Sequence, residues 1–273
     1  MSISPDFKML LAQVPIELPV FNPVALELLQ LLENPGSHIN IVVDTINKDQ
    51  ALSALVLRMA NSAAFSGLEP SETIKASAIR LGTKQICNLA MAASQAALHT
   101  SDIAVVNDIM RELWLHSNAC AVGCWTVAMT TSFRPLADQA YLAGLLHDIG
   151  KLYILKGMER MSPDGHGFEL ERKLLLEVFT EMHVELGVRL MNHWNIPALY
   201  QAVVADHHLE EVMTQNALLD IVRLVNFNSR RLHMSLNPAV VTYDAPAPEY
   251  ISLEITEFDW ANLEETMIKA GKF

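Results

Sequence analysis

Residues 143–152 read AGLLHDIGKL, a stretch that sets a histidine beside an aspartate in an apolar segment. One face at helical spacing runs through it, made of Ala140, Ala143, Gly144 and His147. The small residues on this face would let another helix approach closely. We therefore expect His147 to project inward with Asp148 beside it. The alternative interpretation is a polar pair that ends a helix before Gly150.

Other histidines also fall on apolar helical stripes. The stripes are Ile109, Leu113, His116, Cys120, Cys124 and Val127, then Phe179, Met182, His183, Leu186 and Leu190, and finally Leu199, Val203 and His207. A single inward histidine is usually a core residue with a hydrogen-bond partner. Several buried without partners would cost about 1–3 kcal/mol each. A divalent cation satisfies several at once, and imidazole with carboxylate favours Fe, Mn, Zn or Ni over Ca.

A metal site of this kind has a definite chemistry. A bound metal lowers the pKa of its water, and the resulting hydroxide attacks phosphorus while the metal neutralises phosphoryl charge. Lys151, one turn after His147, could add positive charge toward a phosphate. The alternative for Lys151 is a solvated residue near a helix C-terminus, where a cation is favoured in any case.

The rest of the chain predicts an all-α fold, a multi-helix bundle. Between Gly36 and Ile196 only three prolines interrupt stretches rich in Ala, Leu and Met, and strict alternation of apolar and polar residues is nearly absent before residue 238. The predicted helices are Pro23–Glu33, Ile39–Asn47 with Ser37 as its cap, Gln50–Ala64, Ile74–Leu81, Thr83–Leu98, Ala104–Thr131, Leu136–Gly157, Glu169–Trp194, Ala198–His208 and Asn216–Leu232.

Composition limits the function classes. The chain has 273 residues and a formal charge of -12, with no Lys/Arg run, so we do not expect nucleic acid as a partner. The three cysteines do not suggest a disulfide scaffold, and Cys120 and Cys124 read as small core residues. Neither a secretory signal nor a membrane span is evident. We expect a soluble cytoplasmic protein without a membrane partner.

The segment 143–152 resembles the HD motif of the HD/PDEase superfamily, whose members are helical and hydrolyse phosphate esters through one or two metals. Other segments narrow the resemblance to the HDOD family. They are Leu18-Pro19, RMANSAAF (58–65), AIRLGTKQICNLA (78–90), Trp114-x-His-Ser, His183 with Glu185-Leu186-Gly187, Trp194 before Ile196-Pro197, and His207-His208. The resemblance covers residues 14–230. It implies an N-terminal helical half of the HDOD domain over 1–110 and an HD-like half over 111–234.

The remaining residues, 235–273, form an acidic tail with three prolines. The alternating segment Tyr250–Ile255 is followed by Thr256, which with Asp259 resembles an N-cap and its acidic partner. We predict a short closing helix over Glu257–Ala270.

The resemblance also implies a ligand set. His116 matches the first superfamily ligand, and His147 and Asp148 match the HD pair. The matches to the extra histidines of two-metal HD-GYP phosphodiesterases are His183, His207 and His208. Asp148 and Lys151 are the candidate catalytic residues.

The sequence departs from the superfamily pattern in two places. The last superfamily ligand is an aspartate, but Asn226 stands at the matching position, and Asp220 on the same helix faces another way. Neutral Asn is a weaker ligand. The GYP signature is absent after the paired histidines, which Leu209-Glu210-Glu211 follow instead.

These features favour a bacterial signalling module with a degenerate His/Asp metal site, a protein partner and a possible nucleotide ligand. The alternative is an active metal-dependent phosphohydrolase acting on nucleotide or cyclic-nucleotide phosphoesters. A purely structural helical domain is the third reading.

Overall fold

The structure is a computed structural model, and it describes residues 22–32, 38–62, 64–65, 69–161, 170–209, 216–236 and 260–271, together with Leu11, Glu249 and Leu253. Within these residues every regular element is helical, which confirms the all-α prediction. None of the described helices is long and apolar enough to cross a membrane.

The helices are α1 (Pro23–Leu32), α2 (Ile39–Asn47), α3 (Gln50–Ala60), α4 (Ile74–Leu81), α5 (Thr83–Leu98), α6 (Ala104–Thr130), α7 (Ala137–Leu146), α8 (Ile149–Met161), α9 (Arg172–His193), α10 (Ala198–Asp206), α11 (Ala217–Arg231) and α12 (Trp260–Ala270). A short 3-10 turn, Arg134–Leu136, precedes α7. The described residues form two compact units, one within residues 19–98 and the other within residues 99–271.

The smaller unit is built around α5, against which α1, α3 and α4 pack. Its helix ends follow local chemistry. The side chain of Asp49 accepts a hydrogen bond from the Leu52 amide and caps α3, and Thr73 caps α4 in the same way. Gly82 ends α4 with a φ of +87°, a conformation that few other residues adopt. The N-cap position of α2 is His38, without a side-chain cap, and Ser37 lies outside the described residues.

The larger unit is organised around α6, a helix of 27 residues that packs against α7, α11 and α12. Its predicted stripe from Ile109 to Val127 is buried, including both cysteines. On another side of α6, the Asn118 side chain donates a 2.9 Å hydrogen bond to the carbonyl of Ala270 and fixes the end of α12. The helix α6 agrees with the predicted Ala104–Thr131 to within one residue.

One predicted helix is wrong in a way that matters for the site. The chain does not continue helically from Leu136 to Gly157, because α7 ends at Leu146 and α8 begins at Ile149. His147 and Asp148 form the turn between the two helices. At this turn the His147 ring bonds back to the carbonyl of Gly144, and Gly150 packs against α9.

Several other predicted bounds need correction. The helix α3 stops at Ala60, where the Asn61 side chain bonds the backbone of Ser71 in both directions. The helix α10 stops at Asp206, so His207 is its C-cap. Leu199 is 42% exposed and does not share a buried stripe with His207.

In the C-terminal part, α12 spans Trp260–Ala270, and the predicted start at Glu257 lies outside the described residues. The predicted cap residues Thr256 and Asp259, and the alternating segment 250–255 apart from Leu253, lie outside the described residues. The predicted division of the chain at residues 110 and 234 stays a prediction.

Candidate metal centre

The first part of the site forms where α7 approaches α6. A Cβ on Gly144 would lie 2.7 Å from the carbonyl oxygen of Cys120 and 2.8 Å from the Sγ atom of Cys124, so only glycine permits this spacing. The close approach brings the buried ring of His147 to that of His116, with 3.2 Å between their Nε2 atoms. The small-residue face predicted from the sequence thus allows α7 to approach α6 closely.

The second part forms where α8 approaches α9. A Cβ on Gly150 would overlap the carbonyl oxygen of His183, and Gly187 lies opposite it on α9. This contact brings the His183 ring toward the turn that carries Asp148. The end of α10 adds His207 and His208, whose rings lie beside that of His183. The distances from His183 Nε2 to the other two Nε2 atoms are 3.4 and 3.0 Å, respectively.

Asp148 lies between the two groups and is 2% exposed. Its Oδ2 atom is 3.3 Å from His116 Nε2 and 3.4 Å from His147 Nε2. Its Oδ1 atom is 3.5 Å from His207 Nε2 and 3.7 Å from His183 Nε2. We call the six residues the His/Asp cluster: His116, His147, Asp148, His183, His207 and His208. The structure brings all six predicted ligand positions together.

Backbone carbonyls determine which ring nitrogen carries the hydrogen. The Nδ1 atoms of His147, His183 and His207 bond the carbonyls of Gly144, Phe179 and Val204, respectively. Since a carbonyl only accepts, each Nδ1 is the donor and each neutral ring presents an Nε2 lone pair to the cluster. Histidines that bind metals usually donate their other ring N–H to a carbonyl or carboxylate in this way.

Burial favours the neutral form of two of these rings, His183 and His207. Burial is the main cause that lowers the pKa of His183, to about 4, and it lowers the pKa of His207 as well. Burial alone would raise the pKa of Asp148, but the Lys151 ammonium and then His147 hold it well below its usual range. Near neutral pH, His183 and His207 therefore present imidazole lone pairs beside the ionised Asp148 carboxylate, which is the protonation state that binds metal.

Two observations test whether these residues fit a metal ion. The buried Oδ1 atom of Asp148 has no hydrogen-bond partner, although it lies among imidazoles. The facing Nε2 atoms of His183 and His207 both lack a hydrogen, so their 3.4 Å contact is not a hydrogen bond. Nitrogens that share a tetrahedral ion at about 2.0–2.1 Å lie about 3.3 Å apart. The donor set can therefore hold a divalent cation.

Cys120 is a neighbour that the sequence analysis treated only as core. Its Sγ atom is 3.8 Å from both ring nitrogens of His116, and with His116 and His147 it forms a group of possible ligands. Burial, together with the Asp148 charge, raises the pKa of this thiol to about 12. Its i,i+4 spacing from His116 was the available signal.

Lys151 is not the solvated residue near a helix C-terminus that the alternative interpretation expected. It lies in the first turn of α8 rather than near a C-terminus, and its Nζ atom forms a 2.6 Å salt bridge with Asp148 Oδ2. Its side chain is only 13% exposed. Lys151 therefore partly neutralises the carboxylate on which a metal would depend.

A cavity of about 390 Å³ lies beside the cluster. Its lining includes Lys151, Phe179, His183, His208, Asn226 and Arg230. Asn226, the residue at the position matching the last superfamily ligand, thus lines the same cavity as His183 and His208. Arg230, one turn later on α11, was not singled out from the sequence.

The chain has an all-helical fold, and comparisons with known proteins identify it as an HDOD protein. The HDOD domain model matches residues 18–210, so the chain belongs to the HDOD family. An HDOD domain protein from Geobacter sulfurreducens has a similar structure, with a TM-score of 0.75 and 23% identity over 97% of this chain and 94% of that one.

Two further structures share the fold. A proposed metal-dependent phosphohydrolase from Shewanella amazonensis SB2B has a TM-score of 0.65 and 22% identity, covering 96% of each chain. A proposed signal transduction protein from Marinobacter aquaeolei VT8 has a TM-score of 0.64 and 17% identity over 97% of this chain and 62% of that one. At these identities the likeness concerns the fold alone.

A curated protein of Treponema pallidum (strain Nichols) is 25% identical over 201 residues, which cover 70% of this chain. The chain spans 38% of the length of that relative.

Proposed function

We propose that this chain is a regulatory module of bacterial signal transduction, whose His/Asp cluster binds a divalent transition metal without turning over a phosphoester. The observation that carries the proposal is the carboxylate content of the site. Among the described residues, Asp148 is the one carboxylate of the cluster, and Lys151 is paired with it. The position expected to hold a further carboxylate is Asn226, which lines the adjoining cavity.

The charge of the site argues for binding rather than hydrolysis. Asp148 and Lys151 together contribute no net charge, so nothing in the cluster offsets the repulsion between two divalent ions. An amide oxygen at Asn226 is a weaker ligand than a carboxylate. We therefore expect one ion, held chiefly by imidazole, and a preference for Fe, Mn, Zn or Ni.

The residues that would hold the ion are Asp148, His183, His207 and His208, or His116 and His147 on the other side of Asp148. A bound ion lowers the pKa of its water and neutralises phosphoryl charge. The protein orients the rings of His147, His183 and His207 through their Nδ1–carbonyl bonds and excludes water from these three rings by burying them.

One observation favours an active phosphohydrolase as the second candidate. The cavity is open to His183 and His208, and Lys151 lines it as well. A phosphoester in this cavity would lie beside the cluster. An enzyme of this kind would act on nucleotide or cyclic-nucleotide phosphoesters.

Turnover assays separate the two candidates. Purified protein, supplied in turn with Fe²⁺, Mn²⁺, Zn²⁺ and Ni²⁺, is incubated with nucleoside phosphates, cyclic nucleotides and cyclic dinucleotides. We expect no product above the level of a His147→Ala variant. Metal-dependent hydrolysis that His147→Ala abolishes would contradict the proposal, provided that His193→Ala, which alters an exposed histidine at the end of α9, retains it.

A regulatory module acts through a partner, and we assign a protein partner to the unit within residues 19–98. Two large apolar side chains of this unit are exposed, Ile41 to 46% and Ile79 to 70%. We expect Ile79→Glu to abolish capture of the partner while metal content stays unchanged. Equal capture of the same protein by the variant would reject this assignment.

A further inference from the structure

One positively charged side chain at the wall of the cavity, that of Arg230, has no carboxylate partner among the described residues. Arg230 is half-buried and lines the cavity, yet its guanidinium forms no salt bridge or hydrogen bond with the described residues. The adjacent Arg231 behaves differently, since it is exposed and its Nη2 atom lies 3.8 Å from Glu264 Oε1. In a chain with a net charge of -12, an arginine left without a carboxylate at a cavity wall is available to an anion.

Asn226 provides a second, independent observation. It is 5% exposed, and it lines the same cavity. The Ser229 hydroxyl donates to the backbone carbonyl of Asn226 rather than to its side chain. Asn226 and Arg230 are four residues apart on α11 and thus share a face.

Lys151 lines the cavity as well, so positive charge and amide donors come from both α8 and α11. An aspartate at position 226 would add a negative charge to the cavity wall and repel an anion. The asparagine adds no charge beside the guanidinium and offers a neutral donor. The residue that weakens the site for metal therefore suits it to an oxyanion.

Much of the remaining wall is apolar and is formed by Leu176, Phe179, Val184 and Leu236, with the hydroxyl residues Thr180 and Ser235 beside them. The cavity volume of about 390 Å³ is near the lower end of the usual range for ligand pockets, about 300–1,000 Å³. This is room for one nucleotide unit rather than two. An aromatic wall such as Phe179 suits a planar base.

We propose that Arg230, Asn226 and Lys151 form a phosphate-binding clamp, and that the cavity retains a nucleoside monophosphate as an uncleaved ligand. The proposal rests on the regulatory function proposed above, and it gives that function a chemical signal. Arginine binds a phosphate through two parallel N–H donors, while the Asn226 amide adds a third.

Calorimetric titration tests the clamp, with adenosine and guanosine 5′-monophosphates as probes. The corresponding nucleosides and inorganic phosphate are titrated in parallel, because they separate the base from the phosphate. We expect the monophosphates to bind more tightly than either part. Arg230→Gln should weaken the monophosphates at least tenfold and leave nucleoside binding unchanged, whereas Arg231→Gln should have no effect. Arg230→Lys should recover part of the affinity.

The outcomes distinguish this inference from the proposed function. Failure of the wild type to bind any monophosphate, or equal affinity in Arg230→Gln with its thermal unfolding unchanged, would overturn the clamp while leaving metal binding and absent turnover intact. Binding of inorganic phosphate as tight as that of the monophosphates would overturn the nucleotide part. Hydrolysis of the bound monophosphate by the wild type would reject the uncleaved ligand and the regulatory function together, even if Arg230→Gln weakens binding.

Discussion

Asp148 and Lys151 form a salt bridge across the start of α8, with 2.6 Å between Oδ2 and Nζ. The Lys151 ammonium therefore competes with a metal ion for Asp148 Oδ2. Lys151→Met should lower the free energy of unfolding of the metal-free protein by about 3 kcal/mol, because it leaves a buried carboxylate unpaired. It should also tighten metal binding about tenfold. Chemical denaturation and metal titration measure the two effects.

The matched control is Lys156→Met on the same helix. Lys156 pairs with Glu159 at 3.3 Å, and the Glu159 side chain is 26% exposed where that of Asp148 is 2% exposed. Because water can solvate the carboxylate left behind, loss of Lys156 should cost under about 1 kcal/mol and leave metal affinity unchanged. Weaker metal binding in Lys151→Met would show that Lys151 supports the ion instead of competing with it.

The metal-free protein should lose stability in mild acid. The pKa of His183 is lowered to about 4 and that of His207 is lowered too, whereas both are about 6.5 in an unfolded chain. As the pH falls from about 6.5 toward 4, the unfolded chain takes up protons that the folded protein refuses, so folding weakens by about 1.4 kcal/mol per unit of pKa difference. Asp148, whose pKa is lowered, adds a further loss only below about pH 4.

Urea denaturation of chelator-treated protein at pH 7, 6, 5 and 4.5 measures this dependence. His183→Gln removes one of the titrating groups, and its stability should therefore decrease less steeply with acid. An identical slope in the variant and the wild type would mean that His183 is not held neutral by burial.

Asn226→Asp should convert the cavity wall into a metal ligand. A carboxylate at this position adds charge beside the histidines, and we expect metal affinity to rise at least tenfold, about 1.4 kcal/mol. Asn192→Asp, an exposed change on α9, serves as the control. Metal titration followed by calorimetry measures the difference. If the metal affinity of Asn226→Asp does not exceed that of the control, residue 226 does not contact the ion.

Gly144→Ala should disturb the contact that assembles the first part of the site. The new Cβ would lie 2.7 Å from the Cys120 carbonyl oxygen and 2.8 Å from Cys124 Sγ, so we expect a loss of about 1–3 kcal/mol and weaker metal binding as His147 moves. Thermal unfolding and metal titration provide the readouts. Adding Cys124→Ala should restore part of the stability, because it relieves one of the two contacts. Unchanged unfolding in Gly144→Ala would refute the close packing.

Much of this arrangement could be predicted because helical spacing is a local property. The stripe that includes His116 and Cys120, and the small-residue face that ends in His147, follow from positions along single helices. The resemblance at residues 143–152 then indicated which histidines share a site.

Other features depend on tertiary packing, which spacing does not reveal. The break at His147–Asp148 was only the alternative interpretation of the sequence, a polar pair that ends a helix, because its position depends on where α8 meets α9. That Arg230 has no carboxylate partner among the described residues depends on which side chains surround it in space, and the exposure of Leu199 depends on what covers α10. Cys120 was read as core because burial and nearness to a ligand give the same sequence pattern.

Elemental analysis of purified protein tests most directly whether the His/Asp cluster is a metal site. Wild type is compared with a His147→Ala/Asp148→Ala variant and with His193→Ala, an exposed histidine that serves as the control. We predict about one equivalent of Fe, Mn, Zn or Ni in the wild type and in His193→Ala, and its loss in the double variant. Absence of metal from the wild type after growth and titration with all four ions would contradict the account and identify the cluster as a hydrogen-bonded core.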